Sequence, residues 1–118
     1  MMISVLEMDN DTLQESNWGR IVDFLEEQEN LIYKCLTSTI SMEHRYDCLY
    51  NNLKQYIEEG ITIGEFAPEY SVDLIINSTI SSLEGIRSMS KYISHDRLLV
   101  NKQIKLLKEN LRDTLVVL

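Results

Sequence analysis

The chain has 118 residues, 44% of them hydrophobic and 25% charged, with one proline and four glycines. That size and balance belong to one soluble globular domain and exclude a disordered tail, a fibre or a disulfide-stapled miniprotein. The net charge is −8, and residues 1–69 hold 14 Asp and Glu against 4 Lys and Arg, a surface that works against binding to a phosphate backbone.

No apolar run approaches the roughly 20 residues a membrane span needs, so no membrane partner is expected. Met1 to Met8 lacks the basic flank and cleavage site of a signal peptide. Two cysteines, Cys35 and Cys48, fit a reducing compartment. The expected location is the cytoplasm.

Strand-type alternation is almost absent, so the fold class is all-α. Residues 1–17 read as a partly helical N-terminal segment. Asp9-Asn10-Asp11 is turn-prone, a helix can start near Thr12, and Ser16 or Asn17 is an acceptable N-cap for the helix after it. Residues 18–118 form the helical domain. From Trp18 to about Thr39, Ile21, Val22, Phe24, Leu25, Leu31, Ile32, Cys35 and Leu36 fall on one stripe, while Asp23, Glu26, Glu27, Glu29 and Lys34 face away. A bend is possible near Glu29-Asn30.

Ser41 caps the next helix, with His44 in the N3 position. That helix carries Tyr46, Leu49, Tyr50, Leu53, Tyr56, Ile57 and Ile61, and Gly64 is the better stop because glycine tolerates the left-handed conformation that ends helices. Pro68 opens a long helix to about Ile93, roughly 39 Å at 1.5 Å per residue. Ser94 caps the last helix, with Asp96 in its first turn and Val100, Ile104, Leu107 and Leu111 on its core seam. Its cations, Lys102, Lys105, Lys108 and Arg112, alternate with Glu109 and Asp113 and read as a solvated face, so no nucleic-acid binding is expected.

The last two helices carry apolar residues on more than one side, with small Ser78, Ser81, Ser82 and Gly85 on one and an extra row at Leu99 and Leu106 on the other. One chain of this size has trouble burying both rows. A homodimer is expected, in which two helices from each copy form an antiparallel four-helix bundle. The positions expected at that interface are Ile75, Thr79, Ser82, Ile86, Val100, Ile104, Leu107 and Leu111.

Polar residues assemble no active site. Ser94-His95-Asp96 has triad letters, but neighbours at a helix start diverge and cannot relay a proton. Glu26-Glu27 and Glu58-Glu59 also diverge and read as solvated faces. His44 and Cys48 share a helix face that Cys35 could approach, yet three soft ligands without paired motif spacing make no zinc motif. The cysteines read instead as small buried hydrophobes beside an exposed histidine. No catalytic residue, metal or cofactor is expected. The aromatics are more informative. Trp18, Phe24, Tyr33, Tyr46 and Tyr50 concentrate in the first half and suit the wall of a pocket for a small apolar or aromatic ligand; they also suit ordinary core and boundary positions.

The stretch Leu53-Lys54-Gln55-Tyr56-Ile57-Glu58-Glu59-Gly60-Ile61-Thr62-Ile63-Gly64-Glu65-Phe66 resembles the segment of TetR-type transcription regulators that closes one helix in a Gly-x-x-x-Gly-Glu-Phe-like turn before the dimerisation helices. Gly85 matches a glycine of the following long helix, and Ile21 to Leu36 is similar to the helix lining the ligand pocket. The resemblance covers about residues 18–115. It implies a five- to six-helix orthogonal or antiparallel bundle like the TetR C-terminal domain, and a non-enzymatic effector-binding and dimerisation domain. The family's helix-turn-helix half has no counterpart in residues 1–17, so the chain is either a natural remnant or a fragment of a longer product, and by itself is expected to bind an effector, or sequester a full-length relative as a heterodimer, without contacting DNA. A small acidic helical adaptor protein is the alternative.

Overall fold

The computed structural model describes residues 16–34, 41–92 and 96–116. Among them are four helices and no strand: α1 (Asn17–Lys34), α2 (Met42–Thr62), α3 (Val72–Tyr92) and α4 (Arg97–Leu115). The expected count of five to six is thus corrected to four among the described residues; the helix expected near Thr12 lies outside them.

The helices close a ring in which α1 packs on α2, α2 on α3, α3 on α4 and α4 on α1. Cross-helix contacts fix their directions. Arg20 of α1 meets Glu59 of α2, Tyr46 and Tyr50 of α2 meet Asn77 and Asp73 of α3, and Glu26 and Tyr33 of α1 meet Lys108 and Arg97 of α4. Neighbours therefore run antiparallel all round the ring. Each helix sends large side chains to full burial: Ile21 and Leu25, Leu53 and Ile57, Ile76 and Leu83, Ile104 and Leu115. Such burial stabilises by about 1.5–3 kcal/mol per side chain, and Ile21, Leu25, Leu53, Ile57 and Ile104 lie on the predicted stripes.

Local chemistry sets the helix ends, and it corrects three readings. The helix expected from Pro68 begins at Val72, because the Ser71 hydroxyl accepts the Leu74 N–H at 3.2 Å while Pro68 has no capping side chain before it. The last helix is capped by Asp96 and not by Ser94, which lies outside the described residues. The Asp96 carboxylate accepts the N–H groups of Leu98 and Leu99 at 3.0 and 3.2 Å. Glu29, expected to face solvent, is buried where α1 meets α4. It is held there by the Tyr33 hydroxyl and by Asn101 Nδ2 at 3.1 Å. Two caps stand as read: Ser41 Oγ accepts the His44 N–H, and Ser16 Oγ the Gly19 N–H at 2.9 Å.

The end of α2 has a specific geometry. Gly64 sits at φ 83°, the Gly64 N–H donates to Ile61 O at 3.2 Å, and the Glu65 N–H reaches back to Gly60 O at 2.7 Å. This is the pair of bonds that closes a helix through a left-handed residue. Phe66 then folds over Gly60, whose missing Cβ leaves the ring its place: a Cβ there would lie 2.2 Å from Phe66 Cδ2. One residue further, the Ala67 N–H donates to Leu115 O at 3.0 Å and ties the turn to the end of α4.

Candidate functional site

The first feature grows out of that turn. Glu65 projects to the start of α1, where its two carboxylate oxygens accept the Asn17 N–H at 3.0 Å and the Trp18 N–H at 2.9 Å. These are donors a helix start leaves unpaired, and a negative charge there also suits the helix dipole. Asn17 Nδ2 adds a third, longer bond to Glu65 at 3.3 Å. The other end of that amide is unusual: Asn17 is 4% exposed, and its Oδ1 is buried with no donor. Buried acceptors are nearly always paired.

Asn17 borders a cleft of about 440 Å³ between the start of α1 and the end of α2, with Arg20, Glu58, Glu59, Thr62 and Ile63. Arg20 Nη1 bridges it to Glu59 at 3.0 Å. The same Arg20 borders a second cleft, of about 320 Å³, with Asp23, Phe24, Glu27, Asn52 and Tyr56. The two clefts share Arg20 and lie along the same α1–α2 groove, and the second is lined by the edge-to-face pair Phe24–Tyr56, whose centroids are 6.4 Å apart.

The aromatic residues expected to share a pocket fall in separate places. Phe24 belongs to the groove. Trp18 is half-buried at the start of α1, and Tyr33 stands near the other end of that helix under the Arg97 guanidinium, 4.4 Å from the ring centroid. Burial, then the hydrogen bond to Glu29 and that carboxylate's charge, push the Tyr33 hydroxyl up to about 12. Tyr46 and Tyr50 stack 5.8 Å apart between α2 and α3, with their hydroxyls on Asn77 and Asp73. The bond to Asp73 raises the Tyr50 pKa above its ordinary value. The structure brings Tyr46 and Tyr50 together and keeps Trp18, Phe24 and Tyr33 apart from them.

The second feature is the outer face of α3 and α4. Of the eight positions expected at a dimer interface, Ile75, Thr79, Ile86, Val100, Ile104, Leu107 and Leu111 are buried within the chain itself, and Ser82 is exposed. Ile75, Thr79, Ser82, Leu107 and Leu111 nevertheless edge a cleft of about 300 Å³, shared with Tyr70, Leu74, Ser78, Asn110 and Thr114. Exposed apolar and small residues accompany it on both helices. Leu74 is 52% exposed, Met89 44%, Leu99 40% and Leu106 57%, and Ser78, Ser81, Gly85 and Ser88 lie on the same outer side of α3.

Two polar clusters lie apart from both features. Glu84 of α3 accepts Arg45 Nε at 2.9 Å and Arg87 Nε at 3.0 Å, a largely buried tie between α2 and α3. Cys48 is exposed, where a buried position was expected, with its Sγ 3.8 Å from His44 Nε2; Cys35 lies outside the described residues. No helix among the described residues is long and apolar enough to cross a membrane. Sequence reasoning missed the groove, because Asp23, Glu27, Glu58 and Glu59 read as ordinary solvated positions, and the reach of Glu65 to α1 spans 48 residues.

A family model described as "Tetracyclin repressor-like, C-terminal domain" matches residues 36–101, a span that contains all of α2 and α3 and the start of α4. The comparison with curated proteins finds no match, and neither does the comparison with solved structures.

Proposed function

The chain belongs to the tetracyclin repressor-like C-terminal domain family, and on that premise we propose that it is the effector-binding and dimerisation part of a transcription regulator, pairing with a second copy through the outer face of α3 and α4. Domains of this family generally dimerise and bind small-molecule effectors. The observation that carries the pairing is the exposed row Leu74, Met89, Leu99 and Leu106 beside a strip of small residues on α3. Small side chains let helix backbones approach closely, and a contiguous apolar face left in water favours association. A two-fold pairing sets α3 and α4 of one copy against the same helices of the other, four helices in all.

The effector side of this reading rests on the clefts between α1 and α2, of whose expected aromatic wall only Phe24 is a lining residue, joined there by Tyr56. An effector acts by favouring one arrangement of the paired copies over another.

Sedimentation velocity at tens of micromolar tests the pairing. The wild-type chain is expected to sediment as a dimer, and Leu74→Glu/Leu106→Glu as a folded monomer, because both side chains are exposed in the single chain and charge there disturbs only an interface. A wild-type monomer, or a variant that still dimerises, refutes this face.

A further inference from the structure

We propose that the groove between α1 and α2 binds a linear aliphatic polyamine, an oligocation whose N–H donors are spaced along a methylene chain. Calling that ligand an effector rests on the functional reading above; the binding itself does not.

Charge gives the first argument. Asp23 and Glu27 line the groove from α1, and Glu58 and Glu59 from α2, against the lone guanidinium of Arg20. Arg20 is paired with Glu59, and Asp23, Glu27 and Glu58 have no ion-pair partner among the described residues. The Arg20–Glu59 bridge is itself weakly held, with the two side chains 45% and 46% exposed. A cation that takes Glu59 meets little resistance.

Acidic residues alone make only a solvated face, and Asn17 distinguishes this one. Its side chain is buried at the end of the groove with an orphaned acceptor oxygen, while its nitrogen is committed to Glu65. The ligand that completes it brings an N–H donor. A terminal ammonium that takes Glu59 from Arg20 sits in the cleft that Asn17 also lines, where it can supply that donor.

The aromatic lining and the length narrow the chemistry further. Phe24 and Tyr56 offer aromatic surface to methylenes and to a cation, which a hydrated metal ion does not use, and no cluster of three or more His, Cys, Asp or Glu suited to a metal occurs among the described residues. From Asn17 to Glu27 the groove follows α1 for about 15 Å at 1.5 Å per residue. That is too long for one ammonium and suits two or more joined by a chain.

Isothermal titration calorimetry on the full chain, with the triamine spermidine as probe at fixed ionic strength, tests the proposal. Spermidine is expected to bind saturably at one site, about tenfold or more tighter than propylamine, with magnesium chloride giving no saturable heat. Asp23→Asn/Glu58→Gln, both at exposed positions, weakens binding by roughly tenfold, the product of two partly exposed ion pairs. Arg20→Gln removes the competing cation and tightens binding severalfold, a gain that a loosened fold would not give. No spermidine binding, equal binding of magnesium, or insensitivity to both variants overturns the proposal. Sedimentation of the same samples keeps the two readings apart. A dimer without spermidine binding defeats only the groove, and a monomer that binds spermidine defeats only the pairing face.

Discussion

Gly60→Ala sets two effects of opposite sign against each other. Within a helix, alanine is favoured over glycine by about 1 kcal/mol, so near the end of α2 the substitution would stabilise if there were room. There is none. The new Cβ would lie 2.2 Å from Phe66 Cδ2 and 2.3 Å from Cε2, and that ring is 2% exposed, with its backbone N–H held by Gly60 O at 3.0 Å. Relief needs a ring shift of more than an ångström, and overpacking of this kind costs about 1–3 kcal/mol. Contacts of 2.2 and 2.3 Å to a buried ring put the cost at the upper end, about 2–3 kcal/mol, so the clash wins for a net loss of about 1–2 kcal/mol. Urea unfolding followed by far-ultraviolet circular dichroism is expected to show a lower midpoint at unchanged slope. The sharper test is the background. Phe66→Ala alone costs about 3–5 kcal/mol, and once the ring is gone Gly60→Ala should stabilise by up to about 1 kcal/mol. A Gly60→Ala variant as stable as wild type, or a loss that persists without the ring, refutes the assignment of Gly60 to Phe66.

Gly64→Ala is expected to cost about 1–2 kcal/mol for a different reason: nothing lies within 4 Å of a Cβ there, but its φ of +83° penalises any side chain. That loss should persist in the Phe66→Ala background, where the Gly60 effect reverses, and the same urea titrations compare the two. Tyr33 should titrate at about 12 by tyrosinate absorbance, pushed up from 10.0 first by burial and then by Glu29. The folded chain keeps that proton through a window where the unfolded chain has released it. Its contribution is therefore complete below pH 10 and declines as pH rises from there towards 12. Tyr33→Phe should flatten the fall of stability across that window, and an unchanged fall would show that Tyr33 is not its source.

The helices and most caps are legible in the sequence because they depend on neighbours along the chain. Ser41 and Gly64 act within a few residues, and the stripes of α1 to α4 repeat at the helical period. The start of α3 is harder to place for a local reason too: proline favours a first turn, yet Ser71 supplies a hydrogen bond that Ala67 cannot. Glu29 and Glu65 are hidden for another. Glu29 is held by Asn101, 72 positions away, and Glu65 caps a helix that starts 48 positions earlier. Nothing within a turn or two of either carboxylate signals such a partner. The α1–α2 groove is hidden in the same way, since Asp23 and Glu58 are ordinary surface acids until antiparallel packing sets their helices side by side.

The proposed dimer face shows a limit of periodicity itself. A helix with two adjacent apolar rows declares both, but not which row its own chain will use. On α4 the row Val100, Ile104, Leu107 and Leu111 has the bulk and spacing of a seam, and α1 and α3 take it into the core. The thinner row of Leu99 and Leu106 is left outside, on the next side of the helix. On α3 the same partition keeps Ile76, Ile80 and Leu83 inside and leaves Leu74 and Met89 among small side chains. A chain fills its core first with the larger row because folding must offset the entropy of the whole backbone, whereas pairing of folded copies has only the association cost to overcome. The residues that fit the proposed interface are thus the second-best apolar row, and the strip of serines and Gly85 beside it would let a partner helix come close enough for a thin row to suffice.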